Sequence, residues 1–105
     1  MDERRTLNRD EALNIVRKYK SVITPRFEKE PRVMMFGSYS KGNAYVESDI
    51  DVAVIVPKLH GDWLKLSTRL WMIAPKVDIR IEPVLIEEDE PSPLYRDVMK
   101  TGIAV

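Results

Sequence analysis

The chain has 105 residues, in which 17 lysines and arginines balance 17 aspartates and glutamates, and it has no cysteine. This length predicts one domain over residues 1–105. The zero net charge argues against strong nucleic-acid binding, and the lack of cysteine excludes disulfides and thiolate metal sites. The longest apolar run, Val52 to Val56, is too short to span a bilayer. With no signal-peptide pattern, we expect a soluble cytoplasmic protein without a membrane partner.

The first part of the chain predicts a helix, a strand and a glycine turn. Apolar residues recur at helical spacing from Asn8 to Ile23, and this segment begins with a capping-box pattern, N-x-x-E. Arg32 to Phe36 is a short apolar strand that ends at Gly37. One or two helical turns are predicted over residues 40–45.

The middle of the chain predicts a second strand and a second helix. Ile50 to Val56 alternates between an apolar face and a face that carries Asp51. The next helix is predicted from Trp63 to Ile73, after an aspartate cap and before Pro75. We interpret Trp63 and Trp71 as core or interface packing.

A third strand is predicted from Lys76 to Glu82, with a few further extended residues over 84–86. Its residues alternate cleanly between apolar and charged side chains. Asp78 is expected in the middle of this strand, on its polar side. The opposite side is expected to face the core through Val77, Ile79 and Ile81.

The C-terminal segment predicts a last short helix. Ser92-Pro93 opens it, Gly102 ends it, and the apolar residues between them are expected to face inward: Leu94, Tyr95, Val98 and Met99. Helices that alternate with short strands predict an α/β fold, with a small mixed β-sheet flanked by helices.

Two aspartates at the start of the second strand are the main functional signal. Asp49 and Asp51 are two residues apart, so on a strand they share one face, with Cα atoms about 6.6 Å apart. Carboxylate oxygens are the ligands that Mg²⁺ prefers. The Gly37-Ser38 turn upstream can present N–H groups and a hydroxyl to phosphate oxygens. Acids for metal and a turn for phosphate indicate phosphoryl or nucleotidyl transfer.

Asp78 is the expected third acid of this site. If its strand lies beside Ile50 to Val56, then Asp49, Asp51 and Asp78 share one sheet face and can hold two Mg²⁺ ions about 3.5–4 Å apart. For any single aspartate, a solvated strand end or a salt bridge, for example to Arg80 or Lys41, is the simpler interpretation. Lys41 itself is equally compatible with a phosphate ligand and a solvated loop lysine.

The order of these residues resembles a known family. Gly37-Ser38-x-x-x-Gly42, followed by Ser48-Asp49-Ile50-Asp51-Val52 and then a strand with Asp78, is similar to the minimal nucleotidyltransferases of the polymerase-beta-like superfamily. The resemblance covers nearly the whole chain and implies the nucleotidyltransferase fold.

The resemblance also implies a role for each motif residue. Gly37 and Ser38, together with Gly42, would bind the terminal phosphates of an incoming nucleotide, by family default ATP. Asp49 and Asp51 would bind both metal ions. Asp78 would bridge the catalytic metal and help to deprotonate the acceptor hydroxyl. Tyr39-Ser40-Lys41 departs from many relatives, although Lys41 keeps a positive charge near the phosphates.

By the same resemblance, the expected activity is transfer of AMP to a hydroxyl group of a partner protein. Short relatives act as antitoxins of a HEPN-type toxin, and a chain of this length leaves no room for an acceptor domain of its own. Two alternatives stay open, an antitoxin that acts only by occlusion and the nucleotidyl-transferring subunit of a split enzyme that modifies small molecules. A homo-oligomer is compatible with the sequence.

Overall fold

The computed structural model describes residues 5–59, 61–89 and 92–105. A 3₁₀ turn at Thr24–Arg26 follows the first helix. None of the described helices is long and apolar enough to cross a membrane. In chain order the helices and strands are α1 Arg9–Ile23, β1 Arg32–Phe36, α2 Ser38–Lys41, β2 Ile50–Val56, α3 Trp63–Val77, β3 Ile81–Glu87, α4 Pro93–Thr101 and β4 Ile103–Ala104.

The four strands form one mixed sheet in the order β3-β2-β1-β4. Strand β1 pairs antiparallel with both β2 and β4, whereas β2 and β3 are parallel and are joined through α3. The predicted small mixed sheet flanked by helices is confirmed. Strand β3 lies at one edge of the sheet, and this position governs access to the site described below.

The two faces of the sheet pack against different helices. The alternating apolar side chains of β2 predicted to share one face, from Ile50 to Val56, are buried in the core with α1 and α3. Ala53 and Ile55 point to the other face and pack with Val98 of α4. Asp51 lies on this second face, so the predicted acidic site is on the side of the sheet that packs against α4 and not on the side of α1.

Helix α1 confirms the predicted capping box. The Asn8 side chain accepts a hydrogen bond from the Glu11 N–H, and the Glu11 carboxylate accepts one from the Asn8 N–H. The buried hydroxyl of Tyr19 donates to the carbonyl of Leu70 at 2.8 Å, which joins α1 to α3. The capping box thus closes the start of α1, and the Tyr19 hydrogen bond fixes its second half to α3.

The boundary between α3 and β3 differs from the prediction. Helix α3 continues through Pro75 to Val77, and Asp78 is its C-terminal cap. A proline in the last turn removes only one helical hydrogen bond and has a φ that suits the helix, so Pro75 does not end it. Strand β3 starts at Ile81. The prediction that Asp78 lies in the middle of a strand is therefore wrong, and Ile79, predicted in the core, is 63% exposed.

Smaller differences occur at both ends of the glycine turn and at the C-terminus. Helix α2 starts at Ser38, two residues earlier than predicted, and ends at Gly42, which has a φ of +80°. Helix α4 starts with the Ser92 cap as expected, but only Val98 is fully buried on it. The two-residue strand β4 was not predicted, because Ile103–Ala104 is too short to show a pattern.

Candidate active site

Two carboxylates lie side by side on neighbouring strands at the end of the sheet. Asp51 of β2 is the register partner of Glu82 of β3 on one side and of Phe36 of β1 on the other. Register partners on adjacent strands are about 5 Å apart and point to the same face. The structure thus places Glu82, and not Asp78, next to Asp51.

Asp49 joins this pair from the residue just before β2. A hydrogen bond with Asp49 is the largest cause that raises the pKa of Glu82, followed by desolvation and by repulsion from Asp49 and Asp51. Two carboxyl groups share a hydrogen bond only when one of them carries a proton. The three acids are therefore close enough to compete for one positive charge.

Asp51 is the most buried of the three acids. Its burial raises its pKa, and the negative charge of Asp49 raises it further, whereas the positive charge of Lys41 acts in the opposite direction. A partly buried carboxylate with like charges beside it needs a cation for compensation. We name this group, Asp49, Asp51 and Glu82, the acid triad.

Gly37 makes close contact with the acid triad. A Cβ atom at this position would lie 2.1 Å from Oδ2 of Asp51, and Gly37 has a φ of +75°, which L-residues with a side chain rarely adopt. Both the backbone conformation and the space require glycine. The predicted glycine turn is thus in direct contact with the Asp51 carboxylate.

Helix α2 continues from Gly37 and is fixed by α1. Arg9 donates to the carbonyl of Ser40 at 3.0 Å and to that of Tyr39 at 3.5 Å, and the buried Tyr39 hydroxyl accepts from the Leu7 N–H. The first N–H groups of a helix have no partner within it and can bind an anion. Ser38 is at this start, half-buried.

Lys41 lies on the same short helix, at its last position. It is exposed, its Nζ is 4.0 Å from Asp97 of α4, and its charge acts on the pKa of Asp51. A positive charge close enough to act on Asp51 is compatible with the predicted contact of Lys41 to phosphate. The structure brings Gly37, Ser38, Lys41, Asp49 and Asp51 to one end of the sheet.

Asp78 has a different partner. Its carboxylate accepts a hydrogen bond from the Arg80 backbone N–H at 2.8 Å, and the guanidinium Nη1 of Arg80 donates to both carboxylate oxygens, at 3.2 and 3.0 Å. Both side chains are only 16% exposed. This carboxylate is already neutralised by an arginine, and it sits at the end of α3 before the strand that carries Glu82.

Glu82 is the site residue that the sequence reasoning missed. Lys76 to Glu82 alternates between apolar and charged residues, but after Glu82 the chain is apolar from Pro83 to Ile86. Proline is compatible with an edge strand. The apolar continuation to Ile86 was therefore a signal that the strand begins later and that Glu82 is the acid opposite Asp51.

The donor set of the acid triad fits Mg²⁺. All three groups are carboxylates, which are the oxygen ligands that this ion prefers, and their mutual repulsion favours a cation between them. Across residues 5–59, 61–89 and 92–105, no three acidic, histidine or cysteine side chains are already arranged as a metal site. Binding therefore requires the side chains of the triad to converge.

A groove starts at the acid triad and runs over the edge of β3. Its volume is about 280 Å³. Asp51 and Glu82 line one end, and Trp63, Trp71 and Leu94 line the rest together with the sheet. The two tryptophans are 46% and 48% exposed. This exposure argues against core packing, one of the two interpretations from the sequence, and interface packing stays a prediction.

Comparison with known proteins gives one family and one clear relative. The family model described as polymerase beta, nucleotidyltransferase matches residues 8–105. MJ0141 of Methanocaldococcus jannaschii, named as a predicted protein adenylyltransferase, is 30% identical over 100 residues. The match covers 90% of this chain and 99% of that protein.

Solved structures share the fold at lower identity. A predicted nucleotidyltransferase from Sulfolobus solfataricus matches with a TM-score of 0.66 and 15% identity, over 91% of this chain and 80% of its own. A toxin–antitoxin complex with AMP-PNP matches with a TM-score of 0.53 and 24% identity, over 93% and 72%. The arrangement of strands and helices seen here is thus the nucleotidyltransferase fold.

Proposed function

The chain belongs to the polymerase beta nucleotidyltransferase family, and on that basis we propose that it transfers AMP from ATP, with Mg²⁺, to a hydroxyl group of a partner protein. The observation that carries the proposal is the acid triad in contact with the glycine turn. Asp51 and Glu82 are register partners, and Gly37 leaves room for the Asp51 carboxylate. This contact supports a site in which the acids and the glycine turn bind the same nucleotide.

The site residues divide the tasks of the reaction among them in this proposal. Gly37, Ser38 and Lys41 hold the terminal phosphates of ATP, with Gly42 ending the turn. Asp49, Asp51 and Glu82 hold Mg²⁺, in the two-ion arrangement expected for the family. Bound there, Mg²⁺ would offset the phosphate charge and stabilise the charge that develops on the departing pyrophosphate. Asp78 has no part in metal binding, because Arg80 already neutralises it.

The reaction consists of one substitution at the α-phosphorus of ATP. The acceptor hydroxyl oxygen forms a bond to this phosphorus, and the bond from the α-phosphorus to the bridging oxygen of pyrophosphate breaks. The hydroxyl proton passes to the carboxylate of Glu82, which lies on the side of Asp51 away from the glycine turn. Positioning of the two reactants and charge compensation supply most of the rate in such transfers.

Two comparisons support a protein as the acceptor and an antitoxin as the biological role. The relative MJ0141 is named as a predicted protein adenylyltransferase, and the chain spans nearly all of it. A fold neighbour with AMP-PNP is a toxin–antitoxin complex. We propose a HEPN-type toxin as the acceptor, in line with the resemblance in the sequence.

The test is a transfer assay with the HEPN-type protein encoded beside this one. Incubation with ATP and Mg²⁺ is expected to add about 329 Da per AMP to that protein, measured by intact mass spectrometry. The Asp51→Asn variant is the control that still binds the partner but adds no mass. No adduct with the wild-type chain, together with full neutralisation of the toxin, would instead support an antitoxin that acts by occlusion.

A further inference from the structure

The groove at the edge of β3 has one end in the acid triad and the other in solvent. A second hollow of about 310 Å³ continues it, shares Trp63 and Leu94 with it, and reaches Glu87. The exposed indoles of Trp63 and Trp71, about two turns apart on α3, form one wall, and Val84 of β3 lines both hollows. The result is an aromatic groove that leads to the reacting groups.

The order of the strands places this groove opposite the phosphate-binding turn. Strand β2 lies between β1, which leads into Gly37, and β3, which carries Glu82. In phosphoryl transfer the attacking and leaving oxygens are roughly in line on opposite sides of the phosphorus. With the pyrophosphate at the glycine turn, the attacking hydroxyl must approach from the side of Glu82, which is the side of the groove.

The charges of the groove indicate what can enter it. All charged side chains among its described lining residues are acidic: Asp51, Glu82 and Glu87. Beyond the groove, Asp89 adds further negative charge, whereas Glu88 is paired with Arg32. A phosphate-rich RNA would be repelled here, because nucleic-acid binding depends on neutralisation by lysine and arginine. A polypeptide with apolar and basic side chains complements such a surface.

The edge of β3 restricts how such a polypeptide can bind. The Ile50 N–H donates to the Arg80 carbonyl and the Glu88 N–H to the Val56 carbonyl, so the even-numbered residues of β3 pair with β2. The backbone N–H and C=O groups of the odd-numbered residues, among them Pro83, point away from β2 at the edge of the sheet. Proline has no N–H, so an added strand would lack a hydrogen bond in the middle of this edge. The polypeptide would therefore bind through contacts between side chains and not as an added strand of the sheet.

We propose that the aromatic groove is the entrance for the acceptor, and that it takes a segment of a partner protein in which a hydroxyl side chain is flanked by apolar and basic residues. The indoles of Trp63 and Trp71 pack against the segment, while its hydroxyl reaches Glu82. Aromatic side chains supply large contact areas at low entropic cost and carry much of the binding energy in interfaces. This inference rests on the proposed function and adds the acceptor's chemistry and direction of approach.

Fluorine NMR tests the occupancy of the groove directly, because the chain has only two tryptophans and both line it. The chain labelled with 5-fluorotryptophan gives two signals, and an unlabelled partner adds none. The HEPN-type partner is expected to shift or broaden both signals. Mg²⁺ with α,β-methylene-ATP, and total tRNA, are expected to leave them nearly unchanged. Equal shifts with the nucleotide or the RNA would overturn the proposal, as would partner binding without any shift.

Variants separate the groove from the nucleotide site. Trp63→Ala and Trp71→Ala are expected to raise the KM for the partner at least about tenfold, with the affinity for Mg²⁺-ATP within about twofold of wild type. Ile79→Ala and Val22→Ala are matched controls, since they remove exposed apolar side chains outside the groove, 63% and 43% exposed. Equal losses in the controls, or weaker ATP binding in the tryptophan variants, would contradict an acceptor entrance.

The two experiments also distinguish failure of this inference from failure of the proposed function. If the partner moves both indole signals but the wild-type chain adds no AMP to it, the groove is a docking site and the proposed transfer is wrong. If AMP is added at wild-type rates by both tryptophan variants, the transfer stands and the acceptor entrance is wrong.

Discussion

Two groups of acids lie at neighbouring places in the fold and have opposite surroundings. In the acid triad, Asp49, Asp51 and Glu82 face one another. Burial and then the charge of Asp49 raise the pKa of Asp51, and a hydrogen bond with Asp49 raises the pKa of Glu82. At the end of α3, Asp78 faces Arg80 and is held by its backbone and its guanidinium. The first group has an excess of negative charge, and the second is already compensated.

This difference shows how to separate a functional carboxylate from a structural one. A carboxylate that is bound by an arginine gains little from a cation, whereas carboxylates that repel one another gain much. The partner of an acid therefore says more about its role than its position in a sequence motif. Variants of the acid triad should consequently change activity, whereas variants of Asp78 should change stability.

The largest expected effect is loss of transfer in Asp51→Asn. Removal of a carboxylate that holds Mg²⁺ deletes several kcal/mol of charge stabilisation, so the transfer rate should fall on the order of 10³-fold or more. Single-turnover assays with the partner and ATP measure this. Circular dichroism should show an intact fold, and a transfer rate near that of wild type would remove Asp51 from the site.

A comparison of Glu82→Gln with Asp78→Asn tests whether Glu82, and not Asp78, is the third acid of the site. Glu82→Gln should lower the transfer rate about 100-fold, as expected for loss of a general base, without loss of stability. Asp78→Asn should keep the rate within about twofold but cost about 2 kcal/mol in the free energy of unfolding, because Arg80 loses its ionic partner.

Rate and urea-unfolding measurements on both variants decide between the two assignments. A large loss of rate in Asp78→Asn with a normal rate in Glu82→Gln would restore the role that the sequence pattern gave to Asp78. Nε of Arg80 is already buried without a hydrogen-bond partner among the described residues. Arg80 therefore depends strongly on its contacts with Asp78.

Much of this site was predictable from local sequence. Strand β2 has the predicted bounds, because all its residues except Asp51 are apolar and Pro57 follows it. The glycine turn and the first two acids lie at fixed distances along the chain from this strand. Their proximity follows from the hairpin-like antiparallel pairing of β1 and β2, in which Phe36 faces Asp51.

The third acid was not predictable in the same way. Whether Asp78 or Glu82 faces Asp51 depends on where α3 ends, and Pro75 gives a helix-stop signal that the packing of Ile73 and Ala74 against the core overrides. The register between β2 and β3 is set by tertiary packing over the intervening helix. The aromatic groove depends on the same register, and sequence spacing alone could not reveal it.

Gly37→Ala is expected to have an intermediate effect. Its positive φ costs about 1 kcal/mol for any other residue, and its Cβ would collide with Oδ2 of Asp51. Gly42→Ala is the matched control, because Gly42 has a similar φ but only Arg9 at 3.4 Å. Gly37→Ala should lose more stability than Gly42→Ala, because Gly37 has a ψ of −150°, outside the left-handed helical region that Gly42 occupies. Its transfer rate should also be on the order of tenfold lower than that of Gly42→Ala. Equal rates would mean that Asp51 avoids the added methyl at no cost.

The smallest expected effect concerns stability without metal. Because burial raises the pKa of Asp51, and the hydrogen bond with Asp49 that of Glu82, the folded chain binds more protons at these groups than the unfolded chain does. Their contribution to stability is complete below the unfolded pKa values and is lost as the pH rises through the folded ones. With EDTA present, the wild-type chain should therefore lose stability relative to Asp51→Asn from about pH 4 upward.

Urea-unfolding midpoints of the two proteins across that pH range measure the difference. Mg²⁺ at saturating concentration should reverse it, because the cation binds the folded wild-type triad and compensates its repulsion. In the Asp78–Arg80 pair the negative charge already has its cation, so Asp78→Asn should be the less stable protein with or without Mg²⁺. If the unfolding midpoints of wild type and Asp51→Asn change in parallel with pH in EDTA, repulsion within the triad does not destabilise the folded chain. The acid triad and Asp78 would then differ only in their position in the fold.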